Sequence, residues 1–149
     1  MLVSQQTEFL QKAYQSAKQS GHIYPGAASA EAALESAWGT SGLCIKANNL
    51  FGLKKPQHWT GPTISLPTRE FINQQWITVM AVWPAFRSWI ECMEVRMDTL
   101  KRVPRYAEAL AATTPEDFII DVSSKWATDP DRAKNVLSIY RKHINLLKG

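Results

Sequence analysis

The stretch AALESAWGTSGLCIKANNLFGLK, Ala32 to Lys54, decides how this chain is read. It holds one carboxylate, Glu35, among Ala33, Leu34, Ala37 and Trp38, just before Gly39 and upstream of the polar pair Asn48-Asn49. On a helix, an acid in apolar company keeps its proton toward neutrality, because desolvation disfavours the charged form. Such a group suits general-acid cleavage of a glycosidic bond. The plain alternative is one more solvated glutamate in an Ala-rich helix.

Outward from that stretch the chain reads as mostly helical. Thr7 to Ser20 puts Phe9, Leu10, Ala13, Tyr14 and Ala17 on one helical face, and Gly21 closes it. Tyr24-Pro25-Gly26 is a turn, and Ala27 to Trp38 is a second helix closed by Gly39. Glu31 lies one turn from Glu35 on the same face and reads as a solubilising neighbour. Residues 41–55 read as irregular, with a short helix at Lys46 to Phe51.

Ile64 to Ile72 and Trp76 to Trp83 are β-rich runs joined by Asn73-Gln74-Gln75, which predicts a hairpin with Pro67 on an edge strand. Alternation puts Thr68 and Glu70 on the side of Leu66 and Ile72. Trp89, Cys92, Met93, Met97 and Leu100 form a helical stripe after Pro84. Thr114-Pro115 starts another helix, and Thr128 or Asp129 before Pro130 starts the last one. That last helix turns Ala133, Val136, Leu137, Tyr140, Ile144 and Leu147 inward. The expected architecture is α+β, mostly α, as one domain over residues 1–149.

Composition narrows the partners. Hydrophobic residues make up 45% of the 149, enough for a core. The formal net charge of +4 suits an anionic polymer but does not choose between nucleic acid and cell wall. No nucleic-acid motif is visible, and Arg132, Lys134, Arg141, Lys142 and Lys148 read as a solvated helix face. Cys44 and Cys92 make no disulfide framework; sequence leaves a pair or two buried thiols open, and the reading favours free thiols. His22 and His58 read as loop residues and His143 as a helix-surface one, with no metal-ligand cluster. The N-terminal sequence MLVSQQTEFLQKAY lacks a secretory pattern, and no apolar run is long enough to span a membrane.

The string ESAWGTSGLCIKANNLFGLK resembles the signature of the bacterial glucosaminidases of glycoside hydrolase family 73. That family includes flagellar peptidoglycan hydrolases, autolysins and many phage lysins. Its pattern is Glu-Ser-x-Trp-Gly-x-Ser, a spacer, then Asn-Asn-Leu-Phe-Gly-x-Lys. Thr68 and Glu70 match a later Thr-x-Glu, and Phe86-Arg87, Asp98 and Pro104-Arg105-Tyr106-Ala107 match further positions. Ala127-Thr128-Asp129-Pro130 matches another motif, except that Trp126 stands where the family usually has tyrosine.

The resemblance implies a lysozyme-like fold, with a helical lobe and a small β-hairpin lobe flanking a groove. It implies an endo-β-N-acetylglucosaminidase that cuts peptidoglycan between N-acetylglucosamine and N-acetylmuramic acid. Glu35 would be the acid, and Glu70 would activate water or support the developing positive charge. Asn48, Asn49, Trp126, Thr68 and Phe51 would bind substrate, while Trp38 and Gly52 would help shape the floor. No cofactor or metal is implied. The expected partner is the peptidoglycan strand, met by a monomer without nucleic acid or membrane insertion. The site of action would be the wall, with a phage-encoded lysin staying cytoplasmic until release. Two rivals are a muramidase or lytic transglycosylase on the same fold, and a glycan-binding module that no longer cuts.

Overall fold

The computed structural model describes residues 2–148, and among them the chain forms eight α-helices, one 3-10 turn and one β-hairpin. Helix α1 spans Val3–Ser20 and buries Phe9, Leu10, Ala13 and Ala17 along one face. Gly21 ends it in the left-handed region at φ 78°, as the glycine there predicts. The helix starts four residues before Thr7, the start that its apolar stripe predicts, because its first turn is solvated and carries no packing signal.

Helix α2, Pro25–Glu35, is the central element, packed by α1 and by later helices. Its small side chains explain this position. Ala27, Ala28, Ala30, Ala32 and Ala33 are all fully buried, so neighbouring backbones approach closely. A Cβ on Gly26 would fall 1.6 Å from the carbonyl oxygen of Leu147, so only glycine fits there.

The helix ends at Glu35, not at Trp38. Ala37, Trp38 and Gly39 follow with φ of 51°, 59° and 82°. Two non-glycine residues in that region cost on the order of 1 kcal/mol each. Ser36 holds the turn: its buried hydroxyl donates to Ala32 O at 2.6 Å and accepts from Gly39 N at 2.9 Å. Ser41 then caps α3, Gly42–Ala47, by accepting from Cys44 N at 3.1 Å. The short helix therefore lies before Asn48 rather than over Lys46 to Phe51, since Asn48 turns left-handed at φ 53°.

Strands β1, Thr63–Ile72, and β2, Gln75–Pro84, pair antiparallel, with Thr68 opposite Val79 and Glu70 opposite Ile77. The connection is a two-residue turn, Asn73-Gln74, both at positive φ, as hairpin twist favours. Ile64, Leu66, Thr68 and Glu70 share the more buried face of β1, as alternation predicts, while Ile72 at the tip is exposed.

Helix α4, Trp89–Arg102, carries the expected stripe, with Ser88 accepting from Glu91 N as its cap. A 3-10 turn, Pro104–Tyr106, leads into α5, Ala107–Ala111. Helix α6, Pro115–Trp126, is capped by Thr114 through Asp117 N. Helix α7, Arg132–Lys142, begins two residues after Pro130, because Asp129 Oδ1 accepts from Asp131 N in a turn ahead of it. His143 breaks the last run, and α8, Ile144–Leu147, follows. The core joins α1, α2, α4, α6, α7 and α8, and the hairpin reaches inward mainly through buried Trp83. Cys44 and Cys92 are free and buried.

Candidate active site

The Ser36-centred turn leaves Glu35 on the last residue of α2, with its side chain 22% exposed at the floor of a groove. The groove has a cavity volume of about 500 Å³. Glu70 reaches it from β1, and Thr68, Phe51, Gly52, Trp83 and Trp126 complete much of its lining. Gly52 lies beside Glu35, where a Cβ would come 3.9 Å from Oε2, an ordinary contact, and its φ of 63° is what favours glycine.

Glu35 is not enclosed by apolar groups alone, which corrects the expectation. Arg132 Nε donates to its Oε1 at 2.8 Å. Arg132 is itself 1% exposed, so it is not part of a solvated helix face. Its Nη1 donates to Ser123 Oγ and its Nη2 to Glu31 Oε2, each at 2.8 Å. Glu31 is fully buried rather than solubilising, and both its oxygens accept from Arg96 Nη2 at 2.8 Å. Arg96 in turn lies over the rings of Phe51 and Trp126, 4.4 and 4.2 Å from their centroids.

Two acids and two guanidiniums thus neutralise each other beneath the groove. Burial alone would push the Glu31 carboxyl up, but Arg96 and Arg132 outweigh it and hold it below the usual carboxylate range. Burial would lower Arg132, yet Glu31 and Glu35 raise it. His22 stands at the edge of this network in a loop, as expected, but it is buried. Desolvation, helped by Arg96, lowers its pKa to about 3.

Glu70 is joined to the helical lobe by Lys54, whose Nζ lies 2.9 Å from Oε1. One residue on, Phe71 N donates to Thr128 Oγ1 at 3.2 Å, tying β1 to the loop between α6 and α7. Trp126 donates its indole N–H to Phe51 O at 2.9 Å and packs against Tyr106. Much of its ring therefore serves the protein, although it also lines the groove.

Other expected site residues fall elsewhere. Asn48 Nδ2 donates to Phe86 O at 3.0 Å. Asn49 is buried, donates to Leu53 O and accepts from Leu53 N. Neither lines the groove. Their amides shape the 48–53 loop that presents Phe51 and Gly52, so the expected subsite role is corrected to a folding one. Trp38 packs on Phe9 and His143, away from the groove floor. Arg132 and Arg96 are contributors that the local sequence does not place, whereas Lys54, Arg105 and Thr128 stand in the matched motifs without an individual role. The one local signal was Glu31, a charge inside a run of alanines.

The chain matches a family model described as mannosyl-glycoprotein endo-beta-N-acetylglucosaminidase over residues 11–145. It is 32% identical over 119 residues to the peptidoglycan hydrolase FlgJ of Salmonella typhimurium, covering 76% of this chain and 37% of that protein. It is 30% identical over 128 residues to the exo-glucosaminidase LytG of Bacillus subtilis, covering 82% of this chain and 45% of that protein. The chain thus spans less than half the length of these relatives. Among solved structures, the catalytic domain of the Listeria monocytogenes autolysin Auto superposes with a TM-score of 0.81 at 25% identity, over 99% of this chain and 89% of that one. The chain belongs to the glucosaminidase family of glycoside hydrolases, and its helical lobe and two-stranded lobe form their lysozyme-like fold.

Proposed function

We propose that the chain is a peptidoglycan hydrolase that cuts the β-1,4 bond between N-acetylglucosamine and N-acetylmuramic acid. The observation that carries this reading is that Glu35 and Glu70, from different lobes, line one groove. Arg132 occupies Oε1 of Glu35, so the proton for the leaving oxygen is delivered from Oε2, on the Gly52 side. Glu70 activates the attacking water or supports the oxocarbenium-like charge. Thr68 and Trp126 contact the sugars, while Phe51, whose side chain is fully buried beneath Arg96, supports the floor rather than touching substrate as expected.

Residues 1–149 work as a single catalytic unit in this reading, as a monomer acting on glycan strands outside the membrane. The setting is that of a bacteriolytic enzyme, an autolysin or an endolysin. Nucleic acid and membrane insertion play no part. Among the described residues no helix is long and apolar enough to cross a membrane.

Product analysis tests the reaction. Purified peptidoglycan is digested, its new ends are reduced with borohydride, and the fragments are identified by mass spectrometry. New reducing-end N-acetylglucosamine is expected. Reducing or anhydro muramic acid would make it a muramidase or transglycosylase, and no new ends would leave a binding module.

A further inference from the structure

A second cavity of about 310 Å³ opens beside the groove and shares Gly52, Lys54, Arg105 and Trp126 with it. Lys55 and Arg102 complete a set of four cations in its lining, and no Asp or Glu lines it. Lys54 is engaged by Glu70 and Arg102 by Asp98. Among the described residues, Lys55 and Arg105 have no carboxylate within ion-pair distance. The Arg105 guanidinium carbon lies 5.2 Å from the Tyr106 ring centroid, a contact that consumes none of its N–H donors and leaves them for an anion.

The backbone of a wall glycan is neutral. Its negative charge sits on side arms. The 3-O-lactyl group of a muramic residue is a carboxylate when bare, and it carries the acids of a peptide when amidated. A basic recess off the side of a glycan groove matches a charged arm off the side of a glycan chain. We propose that this cavity is a subsite for the carboxylate borne on the lactyl arm of a muramic residue, with Arg105 and Lys55 as specificity-determining residues. The proposal rests on the wall-glycan reading above and names the part of the substrate that the groove alone does not select.

Affinity for defined tetrasaccharides tests it, measured calorimetrically on the Glu35→Gln chain with circular dichroism as the check of fold. One ligand carries free lactyl carboxylates, a second has them capped as methylamides, and a third bears stem peptides. At low salt at least one acidic form binds about three- to tenfold tighter than the capped form, the range for one or two solvent-facing charge contacts. The stronger of the two acidic ligands identifies whether the lactyl group or the peptide supplies the charge. The preference shrinks as salt rises and disappears in the Lys55→Gln/Arg105→Gln double variant.

Equal binding of all three ligands, binding of none, or a preference that survives the double substitution would overturn the subsite. Failure of the hydrolase reading shows separately, as absence of new reducing ends when the unsubstituted chain digests wall.

Discussion

Arg132 holds Glu35: its Nε lies 2.8 Å from Oε1, and the arginine donating that bond is itself fully enclosed by protein. The contact joins the last residue of α2 to the first residue of α7, and it fixes which carboxyl oxygen can face the groove. A carboxylate positioned this way does not depend on the hairpin for its orientation.

Glu35→Gln keeps the size of the side chain and an acceptor for Arg132. The fold is expected to persist while turnover on purified wall falls at least about 100-fold, the usual loss when a general acid is removed. Reducing-end release decides it. A folded variant with near wild-type release would remove Glu35 from the chemistry.

Arg132 uses Nε, Nη1 and Nη2 toward three different partners. A lysine cannot reproduce that fork. Both Arg132→Lys and Arg132→Met should destabilise, the latter by about 3–5 kcal/mol, since acids are left buried or half-buried without their cation. Urea denaturation gives the number. A midpoint unchanged in either variant would mean that water replaces the guanidinium.

Acid should weaken the fold before it protonates most carboxylates. His22 is kept neutral, with its pKa lowered from 6.5 to about 3 by burial and by Arg96. Between those values the unfolded chain binds a proton that the folded chain refuses. The contribution of His22 is therefore complete above pH 6.5 and falls as pH drops, by up to about 1.4 kcal/mol per pH unit. Glu31, held low by its two arginines, adds a further loss at still lower pH, as it is titrated through its folded value. Unfolding free energies at pH 7, 6 and 5 should show the slope, and His22→Asn should flatten it. A slope that survives His22→Asn assigns the effect to another group.

The two acids come from different lobes, Glu35 from α2 and Glu70 from β1, and we expect a separation that favours attack by water over attack by Glu70 itself. Inverting sites hold their carboxyls roughly 6.5–9.5 Å apart to admit that water. The first-formed anomer, caught by proton NMR, is expected to be α. A β product would assign the attack to the substrate's own acetamide or to a protein nucleophile.

Trp126 separates two roles by substitution. Trp126→Phe loses the bond to Phe51 O, at a cost of about 1 kcal/mol, and keeps an aromatic face. Trp126→Ala also uncovers Arg96 and should cost about 3–5 kcal/mol with most activity gone. Kinetics beside thermal melts tell a lost sugar contact from a loosened floor. Wild-type activity and stability in Trp126→Ala would place the ring outside both.

Local sequence carried much of this molecule. Apolar spacing along α1, α4 and α7 predicts their buried faces, and the Thr114-Pro115 start of α6 is a cap with a visible mechanism. Glu35, Thr68 and Glu70 come together in one groove as the motif matches imply. The charged network was hidden for a physical reason. Arg132 finds Glu31 and Glu35 across about a hundred positions of chain, and a cation is solvated by default until such a partner is known. Asn48 and Asn49 misled in a different way, since a short amide serves a ligand or its own backbone equally well. The short helix begins ahead of the expected Lys46 to Phe51 because the Ser41 hydroxyl starts α3 well before the apolar pair Leu50-Phe51.

Gly26 under Leu147 has a consequence for how the enzyme is made. The helix that ends in Glu35 is sealed at its first turn by backbone that is synthesised more than a hundred residues after it. Loop closure over that span carries an entropy cost that is offset only once α8 is present to complete the packing around α2. A nascent chain stalled within α7 would carry the motif intact but leave the first turn of α2 open at Gly26, exposing it to proteases before the groove is complete.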